Sequence, residues 1–200
     1  PGHNVEFASK SGDIAIWQQG IFPARWNRQG LYVMPGEDSS YMWQGFIPQG
    51  ENPHIKNPER GFISSANQRA ADSSYPYFIP GSYDLYRGIA INRKLSAMQG
   101  ITPEDMMKLQ TDNYNVFAET ARPLLLKYIN EGTLGDNEKK YLDTVANWSL
   151  YNNIELRGPT LFNLWFDNLE KQVWDDEFEK AGVEHLRPSE ATLTEALLRD

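Results

Sequence analysis

Cysteine is absent from all 200 residues, which excludes disulfide cross-links, thiolate metal sites, iron–sulfur clusters and a catalytic thiol together. Histidine is scarce: His3, His54 and His185 are the only ones, and none has a second His or an acid at metal-site spacing such as HExxH. A zinc site is therefore not expected. Long apolar runs are missing too, since no segment reads as a signal h-region or as the roughly twenty apolar residues of a membrane span. The motifs GxSxG, GxxxxGKS/T and GxGxxG do not occur. Elbow-type serine hydrolysis, nucleoside triphosphate hydrolysis and dinucleotide binding thus lack their local support. Positive charge is in deficit, with 19 Lys and Arg against 27 Asp and Glu for a net charge of −8. Neither nucleic acid nor a membrane is expected as a partner.

What is present is a chain with 40% hydrophobic residues, enough to fill an ordinary core. Its charge is uneven: residues 1–100 hold 9 basic and 8 acidic side chains, whereas 101–200 hold 10 and 19. The hydrophobic period changes along the chain as well. Asn4–Ser9 and Asp13–Gln18 alternate like two short strands around Lys10-Ser11-Gly12, whose glycine suits a tight hairpin. Gly, Pro and Asn crowd residues 20–60, which predicts ordered loops, and a third strand is expected at Gly61–Asn67. From Asp84 the period becomes helical, with Leu85, Ile89, Asn92 and Leu95 in phase and Gly100 as a stop. Thr102-Pro103-Glu104-Asp105 is a helix start. From there Met107, Tyr114, Phe117, Ala121, Leu124 and Tyr128 keep to one face, and Pro123 should bend or break the helix near its end. Further helices are expected at about 137–149, 161–180 and 189–198. The pattern is α+β, short strands and ordered loops over 1–80 and mainly helices over 81–200.

Few residues suggest chemistry by themselves. Asp175-Asp176-Glu177 with Glu179 could hold a divalent cation, but an acidic helix face in water explains them more simply. Trp17, Trp26, Tyr32, Tyr41, Trp43, Phe46, Tyr75, Tyr77 and Phe78 could form a sugar- or aryl-binding surface, or pin loops to a scaffold. Pro1-Gly2-His3 is not a natural translation start and looks like the edge of a piece of a longer chain. Pro1 could alternatively act as an amino-terminal base or nucleophile.

An ordered series of short pieces is more specific: Ser11-Gly-Asp-Ile-Ala-Ile-Trp-Gln-Gln-Gly20, Pro23-Ala-Arg25, Pro35-Gly36, Trp43-Gln-Gly45, Pro48, Asn57-Pro58, Gly61-Phe-Ile-Ser-Ser-Ala-Asn67, Tyr86-Arg-Gly-Ile-Ala-Ile-Asn-Arg-Lys-Leu95, Thr102-Pro-Glu-Asp105 and Gln110-Thr-Asp112. This order resembles an internal part of the large chain of the penicillin acylase (penicillin amidase) family, from about His3 to about Leu125. These are amino-terminal-nucleophile amidohydrolases with an αββα sandwich. The resemblance implies that residues 1–200 are a single fragment of a larger acylase domain, inactive alone, whose partners are the remaining precursor chains and a small-molecule amide. It also implies acyl transfer to an amino-terminal serine outside this chain, with release of a carboxylic acid and an amine, in a periplasmic or extracellular setting.

The same resemblance assigns three residues. Asn67 falls on the asparagine that donates its side-chain amide to the oxyanion hole, a donor that can stabilise the tetrahedral oxyanion without protonating it. Arg87 falls on an arginine that helps position the site, and His3 on a wall of the acyl pocket that is often apolar. Ala66 stands where some members have tryptophan, so any stacking there is lost. No cofactor is needed for the chemistry; a structural calcium is implied for the complete enzyme, with carboxylates spread over regions outside these residues. Ser9, Ser11, Ser64 and Ser65 are internal and have no free α-amine, so none corresponds to the nucleophile. A noncatalytic ligand- or protein-binding module with aromatic loops is the alternative.

Overall fold

The computed structural model describes residues 2–81, 83, 85–182 and 187–199; Pro1, Asp84 and His185 lie outside them. The chain divides into two compact units, Pro1–Ile101 and Thr102–Asp200. A three-stranded antiparallel sheet and six helices among the described residues make the fold α+β.

The first unit begins with the expected hairpin. Strands β1 (His3–Ala8) and β2 (Ile14–Gln19) pair antiparallel with Val5 opposite Trp17. Gly12 takes the positive φ of 93° that turns the chain, a conformation glycine adopts without a steric cost. The third strand is not where the sequence pattern put it. Strand β3 is His54–Lys56, and it pairs with β2 through Ile16 opposite Ile55. It hides among Pro53, Asn57 and Pro58, residues that ordinarily mark loops. Asn57 supplies the reason it docks: its side chain accepts from the Ile14 amide at 2.9 Å and donates to the Asp13 carboxylate at 2.7 Å. The Asn57 amide, with Lys56 close by, holds the Asp13 carboxyl below its ordinary pKa. This contribution to the sheet is present above the ordinary carboxylate pKa and is lost as pH falls through the lowered one.

Residues 61–67, expected as a strand, have no ladder partner among the described residues. Nearby side chains take their backbone groups instead: Arg60 Nε donates to the Phe62 carbonyl and Gln68 Nε2 to the Ser64 carbonyl, both at 2.9 Å. Helix α1 (Tyr86–Ala97) then closes the unit, burying Gly88 and Leu95.

The second unit is helical. The single helix expected from Thr102 is two, α2 (Pro103–Gln110) and α3 (Val116–Lys127). Thr102 and Asp105 form a reciprocal capping box on α2, and Asn115 caps α3 by accepting from Ala118 N at 2.8 Å. Between them Asp112 accepts from Tyr114 N at 3.0 Å. Polar side chains that satisfy backbone donors in this way compete with helix continuation. Pro123 does not break α3, which runs on to Lys127; burial of Ala121 and Leu125 in the core offsets the lost backbone bond.

Helices α4 (Asp136–Ala146), α5 (Gly158–Ala181) and α6 (Glu190–Arg199) complete the unit. Their inward faces join α3 in a core of Ala118, Ala121, Leu125, Val145, Trp148, Leu150, Phe162, Phe166 and Leu193. Arg122 ties the end of α4 and the chain after it to α3, donating to the Trp148 carbonyl at 2.6 Å and the Val145 carbonyl at 3.2 Å. The start of α5 depends on a missing side chain, because a Cβ at Gly158 would lie 2.4 Å from Trp148 Cγ. Gly158→Ala is expected to destabilise the chain by about 1–3 kcal/mol through overpacking. Thermal unfolding checks this, and an unchanged melting temperature would show that Trp148 moves aside freely. The acidic run on α5 is a solvated, paired face, with Asp176 and Glu177 beside Lys180 and Asp175 paired with Arg187.

Candidate functional site

The chemistry-bearing residues of the first unit gather where the 58–76 segment meets α1. Asn67 lies in a tight turn rather than in a strand, at φ 59°, in the left-handed region that asparagine enters more readily than most residues. Its side chain is exposed. Arg87, in the first turn of α1, donates from Nη2 to Asn67 Oδ1 at 2.9 Å. A guanidinium has only donors, so this contact orients the amide: Oδ1 faces Arg87, and Nδ2 is left to donate elsewhere. Two of the three residues singled out from sequence, twenty positions apart, are therefore in direct contact.

His3 is placed differently. The alternation of β1 turns neighbouring side chains to opposite faces, and Asn4 is the one that reaches the site segment, donating to Ser65 Oγ at 2.7 Å. His3 is exposed opposite Gln19, on the sheet face it shares with Val5 and Trp17. Trp17 in turn stacks on His54 with ring centroids 4.1 Å apart.

A cleft of about 990 Å³ adjoins the Asn67 turn. Asn4, Ile16 and Gln18 line it from the sheet, Arg60, Ser65 and Tyr75 from the loops. Tyr75 and Tyr77 both act on Glu51, Tyr75 donating to its carbonyl at 2.9 Å and Tyr77 to its carboxylate. The Tyr77 hydroxyl pKa is raised by that hydrogen bond, and the Tyr75 pKa by burial and then by the Glu51 charge. Asp72 is held below its ordinary pKa by the Ser74 side chain and amide. Asp72 is thus ionised at neutral pH and the Tyr75 and Tyr77 phenols are neutral.

Sequence reasoning did not assign a role to the residues that brace the Asn67 turn. Asn92 Oδ1 accepts from Arg60 Nη1 at 2.8 Å and Ser64 Oγ at 3.1 Å, while its Nδ2 donates to the Gly88 carbonyl at 2.7 Å. The available signal was a polar residue in phase with the apolar face of α1. Among the described residues, no group of three or more His, Asp or Glu side chains is placed to hold a metal ion. No helix among them is long and apolar enough to cross a membrane.

Comparison with known proteins bears on this arrangement. The family model for penicillin amidase matches residues 1–200. The chain is 24% identical over 147 residues to the penicillin acylase 2 proenzyme of Pseudomonas sp. (strain SE83), covering 73% of this chain and 19% of that protein. It is 37% identical over 80 residues to the acyl-homoserine lactone acylase QuiP of Pseudomonas syringae pv. tomato, covering 40% and 10%. It is 22% identical over 184 residues to the penicillin G acylase of Escherichia coli, covering 85% and 21%. The chain thus spans at most about a fifth of these relatives' own length. Among solved structures, the thermostable penicillin G acylase of Alcaligenes faecalis superposes with a TM-score of 0.63 at 19% identity, over 85% of this chain and 32% of that one.

Proposed function

The chain belongs to the penicillin amidase family, and from that premise we propose that it is part of an amidohydrolase that cleaves an amide by acyl transfer. The nucleophile is an amino-terminal serine outside these residues, with its own α-amine as base. It attacks the amide carbonyl, and the tetrahedral oxyanion accepts a hydrogen bond from Asn67 Nδ2. Collapse expels the amine, and water then releases the carboxylic acid from the acyl-enzyme. The observation that carries this reading is the Arg87–Asn67 hydrogen bond, because it fixes an exposed, neutral donor before substrate arrives. Preorganisation of that kind is what makes an oxyanion hole effective, since no dipole has to turn during the reaction.

His3, which the resemblance gives to the acyl-pocket wall, lies on the sheet face opposite the Asn4 side chain that reaches Ser65; in this reading the part of the wall it forms is on the Val5 and Trp17 face, where an imidazole would favour a more polar acyl group than an aliphatic side chain does. The relatives' names join penicillins with acyl-homoserine lactones, both of them amides between an acyl group and a ring-bearing amine, and that is the proposed substrate class. The remaining acylase chains are the required partners, the chemistry uses no cofactor, a structural calcium sits in the complete enzyme, and the compartment is periplasmic or extracellular. The isolated 200 residues should show no amide hydrolysis. The test is turnover of N-acyl substrates by the full-length processed protein with and without Asn67; undiminished turnover after its removal, or Asn67-dependent turnover by the isolated chain, overturns the proposal.

The exposed rings of Trp26, Tyr32 and Trp43 favour a second reading, a binding face for a ligand or protein. Ligand binding by the isolated chain, measured by calorimetry, would support it.

A further inference from the structure

The Asn67 turn is exposed, lies at positive φ and has no ladder partner among the described residues, so something other than a sheet must hold it still. Gln68 does so at both ends. Its Nε2 donates to the Ser64 carbonyl at 2.9 Å, and its Oε1 accepts from the Ala66 amide. A neighbouring strand in a parallel ladder makes the same pair of bonds, donating to one carbonyl and accepting from the amide two residues on. One side-chain amide thus replaces the missing strand immediately before Asn67.

Gln68 is itself held. A Cβ at Gly88 would lie 3.2 Å from Gln68 Cβ, so α1 packs on Gln68 more tightly than a side chain at 88 would comfortably allow. The same stretch of α1 carries Arg87 onto Asn67 and Asn92 onto Ser64. Helix, turn and Gln68 therefore form one hydrogen-bonded clamp around the proposed oxyanion donor.

We propose that Gln68 is a positioning residue for Asn67, fixing the backbone from which its amide projects; the inference rests on the reading of Asn67 given above. Gln68 requires both a donor and an acceptor at the end of its side chain. A carboxylate there would keep the acceptor for Ala66 but leave the Ser64 carbonyl without its donor, and would add negative charge next to a site that must accommodate an oxyanion. Misplacement of a catalytic group by about 1 Å can cost as much as a hundredfold in rate, and the loss falls on kcat when the group contacts the transition state rather than the bound substrate.

The test is a double-mutant cycle in the full-length processed enzyme. Gln68→Met keeps the length and the packing against Gly88 but removes both hydrogen bonds, and is expected to lower kcat roughly tenfold with KM little changed. In an Asn67→Gly background the same substitution should cause no further loss, because the residue it positions is gone. Unchanged kcat, or a second full tenfold loss in the Asn67→Gly background, overturns the proposal and marks Gln68 as structural. If the Gln68→Met precursor does not mature, the neutral and shorter Gln68→Asn, whose amide falls one methylene short of the Ser64 and Ala66 backbone groups, carries the same two measurements. Loss on Asn67 replacement without loss on Gln68 replacement overturns only the positioning role, whereas full turnover by Asn67→Gly overturns both readings.

Discussion

Asn67→Gly in the complete, processed enzyme is expected to lower the rate of acyl transfer about a hundredfold or more, the typical effect of deleting one oxyanion donor, about 3 kcal/mol of barrier. Glycine is a better replacement than alanine because of the backbone. At φ 59° an alanine would carry a left-handed cost of about 1–2 kcal/mol, which glycine avoids. A loss seen with alanine but not with glycine would therefore belong to the turn, not to the amide. Asn67→Asp sharpens the comparison. The carboxylate can still accept from Arg87, but it offers no donor and places negative charge against the oxyanion, so its kcat should fall at least as far as that of Asn67→Gly. Each variant is assayed after confirming that the precursor is processed, with kcat and KM measured separately. Activity of Asn67→Asp near that of the parent would dispose of the donor role.

The second large effect concerns stability. Phe162 is completely buried, and its ring sits 5.4 Å from that of Phe117, 5.9 Å from that of Trp148 and 6.2 Å from that of Phe166. Those neighbours come from α3, from the segment after α4 and from α5 itself. Removing the ring leaves a cavity walled by rigid aromatic groups that cannot collapse to fill it. Phe162→Ala should cost about 3–5 kcal/mol, seen in urea as a lower midpoint with an unchanged slope. Leu164, two residues away and exposed, is the internal comparison, and Leu164→Ala should shift the midpoint little. Similar losses at both positions would contradict the packing described for α5.

How much of this could be read from the residues depends on where the relevant partners lie in sequence. The hairpin around Gly12 and the capping box at Thr102 are local patterns, and both are present in the structure. Strand β3 was hidden because its evidence is one side chain, Asn57, reaching back more than forty residues to Ile14 and Asp13. The opposite error, at Gly61–Asn67, has a related cause. Alternation and β-branched residues indicate that a segment suits a sheet, but not whether a neighbouring strand is available to pair with it. Asn67 and Arg87 were legible only through the ordered family motifs, since an exposed asparagine before a loop has many local explanations. Gln68 lies just outside the family pieces, and Gly88 and Asn92 lie within one that gave them no role; their joint role emerges only when α1 is laid against the turn.

The hairpin has one consequence for the isolated chain. Strand β1 is at the edge of the sheet and is exposed along its whole length, with Val5 and Phe7 about half accessible. Nothing on it blunts the edge except Glu6; it has no proline, no lysine and no bulge. Such an edge templates the addition of another strand, so two copies of the 200-residue chain can zip together β1 to β1 in concentrated solution. Concentration-dependent association of the isolated chain is therefore expected, and light scattering on a dilution series checks it.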